Sequence, residues 1–125
     1  MKNIITVSII IVNWNTRELI NNCIKSILDF CKGVTYEIII VDNASSDGSS
    51  SFIKREYPGI KLLENSVNLG FAKACNQAVK ISSGRYIFLL NPDTFLNRGV
   101  ISGLINFMDK LDWAGIAGPQ IIDRK

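Results

Sequence analysis

Four runs of mostly β-branched or leucine residues, "TVSIIIV", "YEIIIVD", "IKLLEN" and "RYIFLLN", alternate along this 125-residue chain with segments whose apolar positions recur at helical spacing. That alternation limits the fold more than any other feature. Each strand-sized run is followed by a stretch long enough for a helix, and a right-handed crossover returns the chain parallel to the strand it left. "TVSIIIV" is continuous rather than alternating, as suits a strand covered on both faces. "TRELINNCIKSILDF" then spaces Leu19, Ile20, Cys23, Ile24, Ile27 and Leu28 along one helical side. "NASSDGSSSFIKREYPG" reads as a cap-rich loop and a short helix stopped at Pro58-Gly59. "FAKACNQAVKISSG" turns Phe71, Ala74, Cys75, Ala78 and Val79 inward and ends at Gly84. "GVISGLINFMDKL" does the same with Val100, Ile101, Leu104, Ile105, Met108 and Leu111, and "AGIAG" reads as a last short strand. The expected fold is one α/β domain, a Rossmann-like and mostly parallel sheet with helices on both faces.

Composition fits such a domain, with 47% hydrophobic and 20% charged residues. The longest apolar runs are strand-sized, so no membrane span is expected. A leader in "MKNIITVSIIIV" is not expected, because Asn13-Trp14-Asn15 follows where small residues should mark cleavage. The net charge of +3 arises from fourteen basic and eleven acidic residues without a basic block, which gives nucleic-acid binding no support. Cys23 and Cys31 lie about 12 Å apart along one helix, too far for a disulfide. With Cys75 on another apolar face, all three read as reduced core residues of a cytoplasmic protein. Without histidine or a Cys-x-x-Cys pair, zinc is not expected, and any metal would be a hard one held by oxygen.

Ligands of such sheets bind outside the carboxyl ends of the strands. There the chain places Asn13-Trp14-Asn15-Thr16, then Asp42 to Gly48, then Asn65 to Gly70, then Asn91-Pro92-Asp93-Thr94. Asp42 and Asp93 each follow a buried strand directly. Asp47 reads as a turn and cap residue. Trp14 either plugs the sheet edge or faces a ligand. Gly70 reads as a permissive residue at a helix entry and Asn68 as its cap. Lys73, in the first helical turn, opposes the helix dipole, so it either faces water or meets an anion. Asp93 could complete an oxygen shell for Mg²⁺ or Mn²⁺ together with a diphosphate.

In that order, "VSIIIVNWN", "YEIIIVDNASSDGS", "NLGFAKACNQA" and "GRYIFLLNPDT" resemble the family 2 glycosyltransferases of the GT-A fold, and "NPD" resembles their rhamnosyltransferase-like members. The resemblance covers nearly the whole chain. It implies a UDP- or dTDP-sugar donor, with Val12, Asn13 and Trp14 beside the base and ribose and Trp14 stacked on the base. It implies that Asp42 accepts the pyrimidine imide N–H, which would exclude cytosine. Asn68, Gly70 and Lys73 would border the diphosphate, Asn91 would lie near the ribose, and Asp93 would be the metal ligand. The first position of the family's Asp-x-Asp motif is Asn91 here, so metal affinity without nucleotide should be weak.

The resemblance further implies inversion, a growing surface or capsular saccharide as acceptor, and work in the cytoplasm or at the inner face of the membrane. The family's catalytic base and much of its acceptor site come from a second half of the domain that these motifs do not reach, and nothing around Asp123 matches the base. The chain is therefore expected to be the donor-binding half of a truncated GT-A domain. The alternative is a non-catalytic nucleotide-binding module whose partner chain supplies the base. A receiver domain is disfavoured because no paired acids open the first loop, and a dinucleotide protein because no Gly-x-Gly-x-x-Gly follows the first strand. An open sheet edge with apolar neighbours would favour a homo-oligomer.

Overall fold

The first β-branched run forms β1 (Val7–Asn13), with Ile9, Ile10 and Ile11 all at 1% exposure or less. A strand closed to water on both sides must lie inside a sheet, and β1 does. In the computed structural model, which describes residues 4–123, β2 (Tyr36–Asp42) and β4 (Tyr86–Leu89) pair with it in parallel on either side. Beyond β2 lies β3 (Lys61–Glu64), giving the order β3-β2-β1-β4. Met1 to Asn3, the opening residues of the segment weighed above as a leader, lie outside the described residues, as does Lys125.

Alternate residues of β1 and β2 enter two separate cores, while in β4 Ile87 and Leu89 are 40% and 50% exposed. Ile9, Ile11, Ile38 and Ile40 pack with α1 (Arg17–Phe30), α2 (Ser49–Glu56) and α4 (Val100–Lys110), through Ile20, Ile24, Ile27, Ile53 and Ile101. Ile10, Ile39 and Val41 meet α3 (Phe71–Ile81) at Ala74 and Ala78, whose small side chains let that helix lie close. Helices thus cover both faces of a parallel sheet, as the alternation predicts. No described helix is long and apolar enough to cross a membrane. All three cysteines are free and buried, and burial pushes the Cys23 and Cys31 thiols up to about 11, which suppresses the reactive thiolate.

Three expectations need correction. "AGIAG" is not a strand: two glycines and two alanines offer little to pack, and Ile116 is 94% exposed. The helical stripes are narrower than their spacing suggests, since Leu19, Leu28, Phe71 and Val79 lie on helix flanks and are each at least 42% exposed. Gly84 does not cap α3, which ends at Ile81, and its φ is not positive. Its requirement for glycine comes from packing instead, because a Cβ there would stand 2.4 Å from the Ser8 amide nitrogen.

That close approach belongs to a polar knot at the amino ends of the strands. Ser8 Oγ accepts the Gly84 N–H at 2.9 Å and donates to Glu37 Oε1 at 2.6 Å. The same oxygen accepts the Ser83 N–H at 2.6 Å, and Lys61 Nζ lies 2.7 Å from Oε2. Burial alone would raise the Glu37 carboxyl, but the bonds from Lys61, Ser8 and Ser83 together outweigh it and hold the group below its usual range. The knot locks the entry of β4 against β1 and β2, and so sets where β4 ends.

Candidate functional site

The strand order lines up three chain ends that are far apart in sequence. Asn13 and Asp42 are ladder partners, and β4 leaves the sheet after Leu89, which pairs with Ile10. The end of β4 lies two interstrand spacings across from β2 and three residues short of Asp42 along the strands, so the two ends are about 14 Å apart. Asp42 is 2% exposed, and three donors hold it: Asn13 Nδ2 at 2.7 Å and Ser45 Oγ at 2.6 Å on Oδ1, and the Ser45 N–H at 2.9 Å on Oδ2. A carboxylate offers about four acceptor positions. One remains on Oδ2, enough for a single N–H.

Asn13 is fully buried, and its side chain is committed inward. Its Nδ2 also donates to Ser45 Oγ, and its Oδ1 accepts the Thr16 hydroxyl at 2.6 Å. The two loops are then stitched together: Ser45 Oγ accepts the Asn15 N–H, and Asn15 Oδ1 accepts the Ser46 N–H at 2.8 Å. Asn15 and Ala44 both adopt left-handed backbone, with φ of 53° and 61°. For alanine this conformation costs on the order of 1 kcal/mol. The grip of Ser45 on Asp42 holds it in place. Asp47 is a cap for two helices, accepting the Arg17 N–H at the start of α1 and both the N–H and hydroxyl of Ser49 at the start of α2. Burial would raise its carboxyl, but these bonds hold it below the usual range.

Around this fixed edge stand the more exposed groups. The Trp14 ring is 56% exposed and so does not plug the sheet, while Val12 packs half-buried against the α3 core. Gly70 precedes α3 with φ 80° and ψ 169°, a region essentially reserved for glycine, and its N–H is bonded by Asn68 Oδ1 at 2.8 Å. Lys73 is exposed in the first turn of α3, beside amides that no acidic side chain of that turn covers. Asn91 and Asp93 are exposed in the turn after β4.

That turn is anchored from beneath. The Leu96 N–H donates to Ser26 Oγ at 3.0 Å, Ser26 donates in turn to the Cys23 carbonyl, and Cys23 Sγ lies 3.7 Å from the Asn91 carbonyl oxygen. Among the described residues no three His, Cys, Asp or Glu side chains converge on a metal position. A single exposed carboxylate fits a hard cation that takes most of its oxygens from a diphosphate and water.

All nine predicted site residues, Val12, Asn13, Trp14, Asp42, Asn68, Gly70, Lys73, Asn91 and Asp93, lie along this carboxyl edge. Ser45, Asn43, Asn65, Gln77 and Ser26 hold the edge together without having been singled out. Asn43, Ser45 and Asn65 belong to the polar stretches after β2 and β3, which is the signal that could have marked them. Ser26 and Gln77 carry no such signal.

Asp42→Asn should lower stability by about 2 kcal/mol, because in either amide orientation an NH₂ group faces a buried donor. A fall in the urea midpoint at unchanged slope is the expected result. An unchanged midpoint would show that the carboxylate does not organise the edge.

Comparisons with known proteins bear on the family and the fold. The chain is 32% identical over 106 residues to the poly(ribitol-phosphate) beta-glucosyltransferase of Bacillus spizizenii, covering 81% of this chain and 17% of that protein. Its fold matches S. aureus TarS 1-349 in complex with UDP-GlcNAc, with a TM-score of 0.75 at 20% identity over 93% of this chain and 37% of that one. It also matches the mannosyltransferase PcManGT of Pyrobaculum calidifontis, solved with GDP-Man and Mn²⁺, with a TM-score of 0.75 at 22% identity over 86% of this chain and 33% of that one. The chain thus spans well under half the length of each. The family model for glycosyl transferase family 2 matches residues 8–124 of the 125, beginning within β1, and on that match the protein belongs to glycosyl transferase family 2.

Proposed function

We propose that the carboxyl edge of this sheet binds the nucleoside diphosphate of a UDP- or dTDP-sugar, and that the chain forms the donor side of an inverting transfer to a saccharide hydroxyl. The observation that carries this reading is the one acceptor position left on Asp42, whose ladder partner Asn13 is followed by the exposed Trp14. Uracil and thymine present one imide N–H there, whereas cytosine presents a lone pair and would be repelled. The Trp14 ring stacks on the base, and Val12 and Asn13 form the floor beneath base and ribose. Asn68, Gly70 and Lys73 face the diphosphate, where the amides of α3 and a lysine favour negative charge. Asn91 lies toward the ribose. Asp93 would hold Mg²⁺ or Mn²⁺, which when bound neutralises charge on the departing diphosphate. The UDP-GlcNAc complex of TarS and the Mn²⁺ of the mannosyltransferase support this by likeness of fold. The poly(ribitol-phosphate) glucosyltransferase relative supports a polymer as acceptor.

In the transfer, the acceptor oxygen bonds to the anomeric carbon as the bond to the diphosphate breaks, and its proton passes to a base. None of the acids at this edge is free for that task. Asp42 is buried and bonded, Asp47 caps two helices, Glu64 at the end of β3 is paired with Lys54, and Asp93 faces the diphosphate. That commitment favours, as a second reading, a nucleotide-binding module whose base comes from a partner chain.

Calorimetric titration with UDP, dTDP, CDP and GDP, with and without Mn²⁺, tests the donor assignment. UDP and dTDP should bind in an Mn²⁺-dependent manner and CDP should not. Failure of all four to bind would overturn it.

A further inference from the structure

Three side-chain amides form a continuous ladder from the end of β2 to the second turn of α3. Asn65 Nδ2 uses both hydrogens, one to Asn43 Oδ1 at 2.9 Å and one to Gln77 Oε1 at 2.8 Å. Gln77 Nε2 returns a bond to Asn65 Oδ1 at 2.9 Å, closing a reciprocal pair. Asn43, itself 2% exposed, donates from Nδ2 to the Gly70 carbonyl at 3.3 Å, and its Oδ1 lies 3.5 Å from the Leu69 amide nitrogen. Backbone bonds tie the same residues to the base-facing edge, from Asn65 N to the Asp42 carbonyl and from Asn43 N to the Asn13 carbonyl, each at 2.9 Å.

No amide of this ladder can flip without setting NH₂ against NH₂ or oxygen against oxygen. The arrangement is therefore over-determined, more than is needed to tether a loop. What it fixes is the distance between two parts of the proposed site. Gly70 and the first amides of α3 are held at a set place relative to Asp42, although the segment between β3 and α3 has no regular structure of its own.

From this geometry we infer that Gln77 is a positioning residue for the donor. Through Asn65 and Asn43 it pre-orders the loop at 65–70, so that the diphosphate-facing helix start stands in register with the base-facing carboxylate before nucleotide arrives. The inference rests on the proposed nucleotide site. Gln77 touches no ligand in this scheme, and its effect is on the fraction of molecules whose loop is competent to bind.

The test uses the whole chain with Gln77→Ala and Gln77→Glu, at a temperature where denaturation curves show every variant fully folded. If the opened loop is competent in about a tenth of molecules, UDP affinity with Mn²⁺ falls about tenfold in Gln77→Ala. Hydrogen exchange at Leu69 and Gly70, measured without nucleotide, should quicken by a similar factor. Gln77→Glu keeps an acceptor for Asn65 Nδ2 but sets a charged oxygen against Asn65 Oδ1, so it should lower UDP affinity at least as far as Gln77→Ala does. A lowered melting temperature with UDP affinity equal to that of the unaltered chain would overturn the inference and leave the nucleotide site standing. If the unaltered chain bound none of the four nucleotides, both would fall.

Discussion

Asp93→Ala should abolish metal-dependent nucleotide binding, lowering UDP affinity in Mn²⁺ by at least about a hundredfold, the upper end of what even an outer-shell partner of a metal site contributes. The expectation follows from the donor set. With Asn91 in place of a second acid, Asp93 is the only carboxylate of the Asn91–Thr94 turn, so no neighbour in that turn can take over a charge-bearing bond to the cation. The fold should not notice. Asp93 is exposed, and the turn is held by Ser26 on the Leu96 amide, by Cys23 near the Asn91 carbonyl and by Thr94 on that same carbonyl. Removing an exposed side chain outside such a network changes stability by about 0.5 kcal/mol or less. The decisive comparison is therefore calorimetry beside thermal melting. Unchanged Mn²⁺-dependent affinity in Asp93→Ala would remove Asp93 as the ligand.

The largest effect on stability should come from Gly84→Ala. The added Cβ would lie 2.4 Å from the Ser8 nitrogen, 2.7 Å from Ser8 Oγ and 2.7 Å from the Val7 carbonyl carbon. Two of those atoms are backbone of β1, which is laddered on both sides and has no direction in which to yield. The alternative is for the entry of β4 to move out, breaking the bonds from Gly84 to Ser8 and from Ser83 to Glu37. Overpacking of this kind costs about 3 kcal/mol. Gly103→Ala provides the contrast, because a Cβ there meets nothing within 4 Å at the fourth residue of α4, and alanine should stabilise it by up to about 1 kcal/mol. Urea denaturation of the two variants should move in opposite directions. Equal midpoints for Gly84→Ala and the unaltered chain would show that β4 enters the sheet with more freedom than this packing implies.

Legibility in the sequence followed the range of the forces involved. The helices and strands among the described residues announce themselves because their signals are local: β-branched runs for β1 and β2, an apolar repeat for α1 and α4, Pro58-Gly59 after α2. "AGIAG" misled because a short apolar run becomes a strand only when a neighbour supplies its hydrogen bonds. Leu19, Leu28, Phe71 and Val79 misled because spacing identifies a helix side, while cover depends on what packs against it. Gly84 has the sequence context of a helix stop, and only the approach of β1 from 76 residues away shows why no side chain fits.

The candidate site divides in the same way. The alternation of strands and helices in a parallel sheet and the rule of carboxyl ends are enough to bring Asp42, Asn68, Gly70, Asn91 and Asp93 to one edge from sequence alone. Nothing local tells a committed side chain from a free one. Asn13 and Trp14 are neighbours of similar promise in the sequence, yet Asn13 is buried in bonds to Asp42, Ser45 and Thr16 while the Trp14 ring stands half in water. The sequence by itself therefore determined the element order, the parallel sheet and the edge at which chemistry would gather, because propensity, periodicity and crossover handedness act over short stretches of chain. Only the tertiary structure decided which amides form the Asn43–Asn65–Gln77 ladder, which glycine lies against β1 and which lone pair of Asp42 stays open. Those depend on hydrogen bonds and contacts between residues that meet only once the sheet has formed.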